Sequence, residues 1–110
     1  MTRDQAIERL RIWAQRAQAE ANEADGGIDL LNWTGQAQVL SSVAEFLAGQ
    51  GSQLDPAGIR LRNINGRQES LAAWGVARNN PRDLALHAGE VAAYDLALSL
   101  LKDAGEHWTA

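Results

Sequence analysis

The sequence predicts an all-α fold, an antiparallel four-helix bundle built from two helical hairpins, in a single domain of 110 residues. Three observations carry that expectation. Alanine (20) and leucine (14) dominate while proline occurs twice, which is the composition of a helix former. Apolar residues recur at spacings of three and four through four separate segments. Glycine or proline punctuates the chain between those segments.

The first helix is expected over about residues 3–24. Thr2 and Gln5 form a capping box, in which each side chain satisfies the other residue's backbone N–H. Ala6, Leu10, Trp13, Ala17 and Ala21 make the apolar stripe, and Gly26-Gly27 stops the helix. The second helix starts near Asp29. Leu30, Trp33, Ala37, Leu40, Ala44 and Leu47 form one stripe, and Val39, Val43 and Phe46 a second beside it. An apolar face that broad belongs to a helix with two or more neighbours. Gly49 and Gly51 end it.

Residues 50–66 give mixed signals. Asp55-Pro56 looks like an N-cap followed by proline at the first helical position. Ile59-Arg60-Leu61-Arg62 alternates, however, and Asn65-Gly66 is a hairpin-type dipeptide. A two-stranded ribbon alone is marginal in water. The segment is therefore expected to be an irregular or short-helical connection. The third helix then runs over about 67–78, capped by Asn65 and Gln68, with Leu71 and Trp74 inward. Asn80 caps the fourth, Pro81 takes its first position, and Leu84, His87, Val91, Tyr94, Leu98 and Leu101 repeat the spacing until Gly105. Hairpin 1 thus covers about 3–49, hairpin 2 about 67–105, and a tail 106–110 follows that is expected to be loose unless Trp108 docks.

The two hairpins resemble each other, so an internal duplication is a candidate explanation. Glu8, Leu10 and Trp13 match Glu69, Leu71 and Trp74 at an offset of 61 residues. Asp29-Leu30, Gly35, Leu47 and Gly51 match Asp83-Leu84, Gly89, Leu101 and Gly105 at 54, which implies a longer connection in the first hairpin. Gly35 and Gly89 fall inside helices, where glycine costs about 1 kcal/mol relative to alanine. Matched glycines there predict a close helix–helix approach.

Trp33-Thr34-Gly35 resembles the Trp-X-Gly motif that sits at the turn between two long helices in the small secreted helical-hairpin proteins of actinobacteria. The resemblance covers three residues. It departs from that family where Gly49 to Pro56 interrupt the second helix and where Tyr94 is followed four residues later by Leu98 rather than an acid. Trp33 is also in step with the apolar stripe, so the helical spacing accounts for it without a turn.

Composition narrows the function classes. The chain contains no cysteine, which removes disulfides, thiolate catalysis and cysteine zinc sites. The charged start, Met1-Thr2-Arg3-Asp4, is not a signal peptide, and no unbroken apolar run approaches 18 residues, so a cytoplasmic protein with no membrane contact is expected. Nine arginines against one lysine, with abundant alanine and glycine, suggest a GC-rich bacterial or phage genome. Ser41 and Ser42 lack a histidine at helical spacing and a nucleophile elbow, and no glycine-rich phosphate loop is present. No cofactor is expected.

Net charge is −4, unevenly spread. Arg60, Arg62, Arg67, Arg78 and Arg82 face Glu69 alone between residues 56 and 82, while both flanking segments are acidic. The plainest role for these arginines is pairing with acids of helices 1 and 4, and Asp95 is expected at a solvated edge. His87, with Asp83 four before it and Glu90 three after, is the one weak metal candidate. Carboxylate metal sites in bundles need a second inward histidine, which this chain lacks, and His87 occupies the slot of Trp33, which points to packing.

The expected function is non-catalytic: a small acidic helical protein–protein interaction module, such as a bacterial or phage adaptor, inhibitor or antitoxin-like regulator. The partner is another protein, with self-association into a homodimer a further expectation because broad apolar faces need covering. The contact candidates are the five arginines together with Glu8, Glu20, Glu23 and Asp25. One alternative is nucleic-acid or anion binding through the arginine-rich segment 60–82. The other is a metal site centred on His87.

Overall fold

The computed structural model describes residues 2–50, 56–77 and 79–105. Four α-helices make up the fold: α1 (Arg3–Glu23), α2 (Ile28–Gly49), α3 (Pro56–Val76) and α4 (Pro81–Gly105). α1 packs on α2, α2 on α4, and α3 on α4, with lighter contact between α1 and α4. The spatial order is therefore α1–α2–α4–α3, with α2 and α4 in the middle.

Local chemistry sets the helix ends. The capping box of α1 is complete: Gln5 N–H donates to the Thr2 hydroxyl at 3.2 Å, and Thr2 N–H donates to Gln5 Oε1 at 2.9 Å. Gly26 and Gly27 then take φ of 91° and 75°, conformations other residues avoid, and turn the chain into α2. At α4, Asn80 Oδ1 accepts from the N–H groups of Arg82 and Asp83, as expected of an N-cap before Pro81. Trp33-Thr34-Gly35 lies inside α2 and forms no turn.

The expected connection over 50–66 is corrected for residues 56–66, which are the first half of α3. Pro56 opens the helix, while Asp55, its expected cap, lies outside the described residues. Asn65-Gly66 is mid-helix and makes no hairpin. Glycine stands there because the Tyr94 ring occupies the space: an added Cβ would lie 2.6 Å from the Tyr94 hydroxyl oxygen. The capping role assigned to Asn65 and Gln68 falls with it. The inward stripe of α3 is Ile59, Asn63, Gly66 and Ser70, with Ile59, Asn63 and Ser70 buried. Leu71 is only half-buried, and Trp74 is 38% exposed, not inward. Buried Asn63 satisfies itself by donating to the Ile59 carbonyl at 2.8 Å.

The centre of the fold is the crossing of α2 and α4. A Cβ on Gly35 would overlap the Leu86 carbonyl oxygen, and one on Gly89 the Asn32 carbonyl oxygen. Asn32 also donates across to the Ala85 carbonyl at 3.3 Å. Asn32 meets residues 85–89 and Leu40 shares a hollow with Leu96, so α2 and α4 run parallel. The close approach expected from the matched glycines is what the structure shows.

The same geometry reveals the pseudo-symmetry. Leu86 and Gly89 are 54 residues after Asn32 and Gly35, so each glycine meets the counterpart of the other's contact. Buried Gly35, Ala37, Val39, Val43 and Leu47 correspond to buried Gly89, Val91, Ala93, Ala97 and Leu101 at that offset. The outer helices follow at 53: Arg3 and Pro56 open them, Glu23 and Val76 close them, and Ile28 and Pro81 start the next pair. The offset of 61 read from the Leu-x-x-Trp pairs is therefore overturned, and the two hairpin connections are equally long. Leu71-x-x-Trp74 resembles Leu10-x-x-Trp13 but stands two turns too far along its helix to be its counterpart.

The apolar core gathers Leu10, Leu40, Leu47, Ile59, Ala97 and Leu101 from all four helices. On α4 the face towards α2 is the small-residue one, Ala85, Gly89, Ala93 and Ala97. The larger stripe seen in the sequence turns towards α3 instead, where Tyr94 meets Gly66 and Leu84 lies beside Leu71 and Trp74. Among the described residues, Pro81–Lys102 of α4 is long and apolar enough to cross a membrane by length and composition, although 39% of its most apolar window is buried within this fold.

Gly89→Ala should destabilise the protein by about 3 kcal/mol, because the clashing atom is backbone and no side chain can move aside. Gly49→Ala, with open space around it, should be neutral or stabilise by up to about 1 kcal/mol. Urea unfolding of the two variants checks both, and equal stabilities would remove the close crossing as the central constraint.

Candidate functional site

The expected contact residues do not converge on one patch. Arg60 and Arg67 are seven residues apart, about two turns, and share a face of α3, whereas Arg62 is about 200° around the helix from Arg60. Arg62 lies over the Phe46 ring at 3.7 Å, a cation–π contact that ties α3 to α2. Arg67 pairs with Asp95 of α4 at 2.5 Å, so Asp95 is an ion-pair partner as well as a partly solvated edge residue. Arg60 and Arg82 are exposed and make no ion pair among the described residues, and Arg78 lies outside them. Of the described arginines between residues 60 and 82, only Arg67 makes an ion pair with an acid of α1 or α4. Arg60 lies about 24 Å of helix rise from the end of α3, beyond which Arg82 begins α4.

On the first hairpin Glu8, Glu20, Glu23 and Asp25 are all exposed. Glu8 shares an open groove with Arg3, Asp4, Arg11 and Ile12, so its surroundings are of mixed sign. Glu20 sits at the rim of a hollow formed by Trp13, Trp33, Leu40 and Leu96, with Arg16 and Gln36 beside it. Glu20 and Glu23 fall at the C-terminal end of α1, where no basic residue stands and acids oppose the helix dipole.

His87 and Glu90, three residues apart on α4, face each other as a half-buried pair through His87 Nδ1 and Glu90 Oε1. Asp83 is exposed in the first turn of the same helix, its N–H donating to Asn80. No group of three His, Asp or Glu residues that could hold a metal ion occurs among the described residues. His87 and Trp33 are half-buried counterparts at the 54-residue offset, which fits the packing role assigned from the sequence. Tyr94 has its phenol pushed above the ordinary 10.0, first by burial, then by the negative charges of Glu90 and Glu69, with Arg62 opposing.

The surface that sequence reading missed is the outer side of α3. Leu61 is 58% exposed, and Ile64 and Trp74 are also exposed. Leu61, Ile64, Gln68, Leu71 and Gly75 follow one another at intervals of three and four, forming a continuous seam. This seam lies away from Ile59, Asn63, Gly66 and Ser70. Apart from Ile59, helix α3 therefore carries small and polar groups inward, with Leu61 and Ile64 outward, unlike an ordinary surface helix. At its C-terminal end Leu71, Trp74, Gly75 and Leu84 of α4 line an open hollow of about 360 Å³. The signal was present as a 3–4 spacing from Leu61, but a helix had to be assigned to 56–66 before it could be read.

No protein-family model matches the chain, and neither a curated protein nor a solved structure matches it.

Tyr94 is the only tyrosine, so ultraviolet titration reads it alone. Its ionisation midpoint should lie above 10.0 in the folded protein and return to the ordinary value in denaturant. Because the folded value is the higher one, the associated stability is complete below about pH 10 and is lost as pH rises through the folded value. A Tyr94→Phe variant should lack that part of the alkaline loss in thermal melts.

Proposed function

We propose that this chain is a non-catalytic helical interaction module, of the adaptor, inhibitor or antitoxin-like kind, that binds another protein chain. The observation that carries the reading is the outward apolar seam of α3: Leu61 and Ile64 stand in solvent while that helix buries Asn63 and Ser70. Exposed large apolar residues arranged as a continuous strip, rather than scattered singly, are a contact surface. Arg60, exposed on the same helix, edges the strip and supplies a polar rim. The exposed acids of α1 remain candidate contacts at the opposite side of the molecule. The nucleic-acid reading gains no support from the arrangement, since Arg62 is committed to Phe46 and Arg67 to Asp95.

The test is affinity capture from lysate of the source organism, with and without nuclease, using the wild type and the double variant Leu61→Glu/Ile64→Glu. A stoichiometric protein retained by the wild type and lost by at least tenfold with the double variant is the expected result. Capture that is unchanged in the variant would remove the seam as the contact surface. Capture that disappears with nuclease in both would move the function to the arginines.

A further inference from the structure

We infer that the hollow between α1, α2 and α4 is a binding site for a free amino acid with a single aromatic ring. It shares no residue with the seam of α3, so the two can fail separately. Its volume is about 300 Å³, at the lower end of what small-molecule sites enclose, which suits one ring and its substituents. Trp13, Arg16, Ala17 and Glu20 fall within about 100° of arc on α1, so one face of that helix turns to the hollow. Trp33, Gln36 and Leu40 fall within about 60° on α2.

The hollow has an apolar end and a charged end. α1 and α2 run antiparallel through a short turn, which brings Trp13 about level with Leu40 and Glu20 about level with Trp33. Gly35 of α2 lies against Leu86 and Glu90, so Leu96, further along α4, joins the end formed by Trp13 and Leu40. Ala17 and Leu40 are buried at the base, while both indoles are only half-buried. A ligand ring there gains apolar contact and the offset or edge-on packing that aromatic pairs prefer.

The other end offers both signs of charge. Arg16 and Glu20 are exposed, and neither makes an ion pair among the described residues. They stand one turn apart on α1 with the cation first, the poorer order for pairing with each other. Glu20 also lies in the last turn of α1, where no basic residue offsets the helix dipole. Gln36 donates to Asn32 Oδ1 at 2.8 Å, which leaves its own carbonyl oxygen to accept. A carboxylate beside Arg16, with an ammonium beside Glu20 and the Gln36 carbonyl, satisfies all three. Neighbouring carboxylate and ammonium groups are what an amino acid carries. An aromatic acid without the ammonium leaves Glu20 facing a like charge.

The pseudo-symmetric place in the second hairpin is closed by its own side chains. Gly66 and Tyr94 stand where Trp13 and Leu40 stand in the first, and the tyrosine ring lies directly on the glycine. His87 and Glu90 replace Trp33 and Gln36 and pair with each other. Only the first hairpin therefore keeps indoles and unpaired charges around this space. Because the site is small and open to water, its Kd should be on the order of 0.1–1 mM.

The test is titration of the full chain with L-phenylalanine to about 10 mM, roughly tenfold above the weaker expected Kd. The readout is the indole N–H signals in proton–nitrogen correlation spectra, each assigned by substituting one tryptophan with phenylalanine. The Trp13 and Trp33 signals should move and saturate together while that of Trp74 stays. Arg16→Gln and Glu20→Gln, at exposed positions, should keep the helical circular dichroism and each raise Kd at least about fivefold. L-Alanine, which lacks the ring, and phenylacetate, which lacks the ammonium, should each bind at least about fivefold more weakly. Unmoved Trp13 and Trp33 signals overturn the site. Equal movement of Trp74 means diffuse association with exposed indoles and overturns it too. Phenylacetate binding as well as L-phenylalanine, or a Kd unchanged in Arg16→Gln or Glu20→Gln, overturns the amino-acid assignment.

Discussion

Backbone-to-backbone contact between α2 and α4 is the constraint from which the rest of the structure follows. Gly35 and Gly89 let the two helices approach until each would-be Cβ falls on a carbonyl oxygen of the other. That approach fixes the crossing point and, through Asn32 and the Ala85 carbonyl, the register. With α2 and α4 locked side by side and parallel, the short turns dictate where α1 and α3 go. Each must lie antiparallel to its own partner, on the outer side of the central pair. The arrangement is in effect a twofold dimer of helical hairpins held in one chain, which is how such a glycine-faced hairpin would hide its backbone from water.

The two halves share geometry but not chemistry. Leu10 of α1 is fully buried against the core, while its counterpart at the 53-residue offset is Asn63, which bonds back to its own helix. Ala17 similarly corresponds to Ser70. Removing apolar groups from the inner face of α3 weakens its hold on α4, and Arg62 over Phe46 and Arg67 with Asp95 supply contacts at its two edges instead. An exposed ion pair of this kind contributes at most about 1 kcal/mol, so it orients α3 more than it stabilises it. The apolar groups that α3 does carry were free to face outward, and the hairpin that gives less to the core is the one that exposes large apolar side chains.

How much of this could be read from the sequence depended on whether a residue's role matched its type. Thr2 with Gln5 and Asn80 with Pro81 marked helix starts because capping requires those side chains at those spacings. Gly35 and Gly89 were legible because two helices broke the same rule at matching positions. The first half of α3 was not legible, since its inward residues are isoleucine, asparagine and glycine, and no apolar period marks them. Asn65-Gly66 carried the signature of a turn for an unrelated reason, the room that Tyr94 requires. The spacing of Leu71 and Trp74 reads as an inward face, and their likeness to Leu10 and Trp13 reads as equivalence. Between pseudo-symmetric hairpins, however, equivalence follows the position in the fold, and similarity of type points two turns away. The acids of α1 and the arginines were visible as charges, but their separation along and around the helices was not.

The outward seam and the inward glycines answer the same physical problem at different levels. A single hairpin with a flat, small-residue face cannot shield it and needs a second hairpin, which the chain supplies internally. Once that second copy is covalently attached, its outer helix is no longer needed to close the first hairpin. The large residues at Leu61, Ile64 and Trp74 are then free of the packing constraints that hold α1 to alanine and leucine. Large apolar residues kept on such a face lower solubility unless something covers them, and the −4 net charge of the chain offsets that tendency without covering anything.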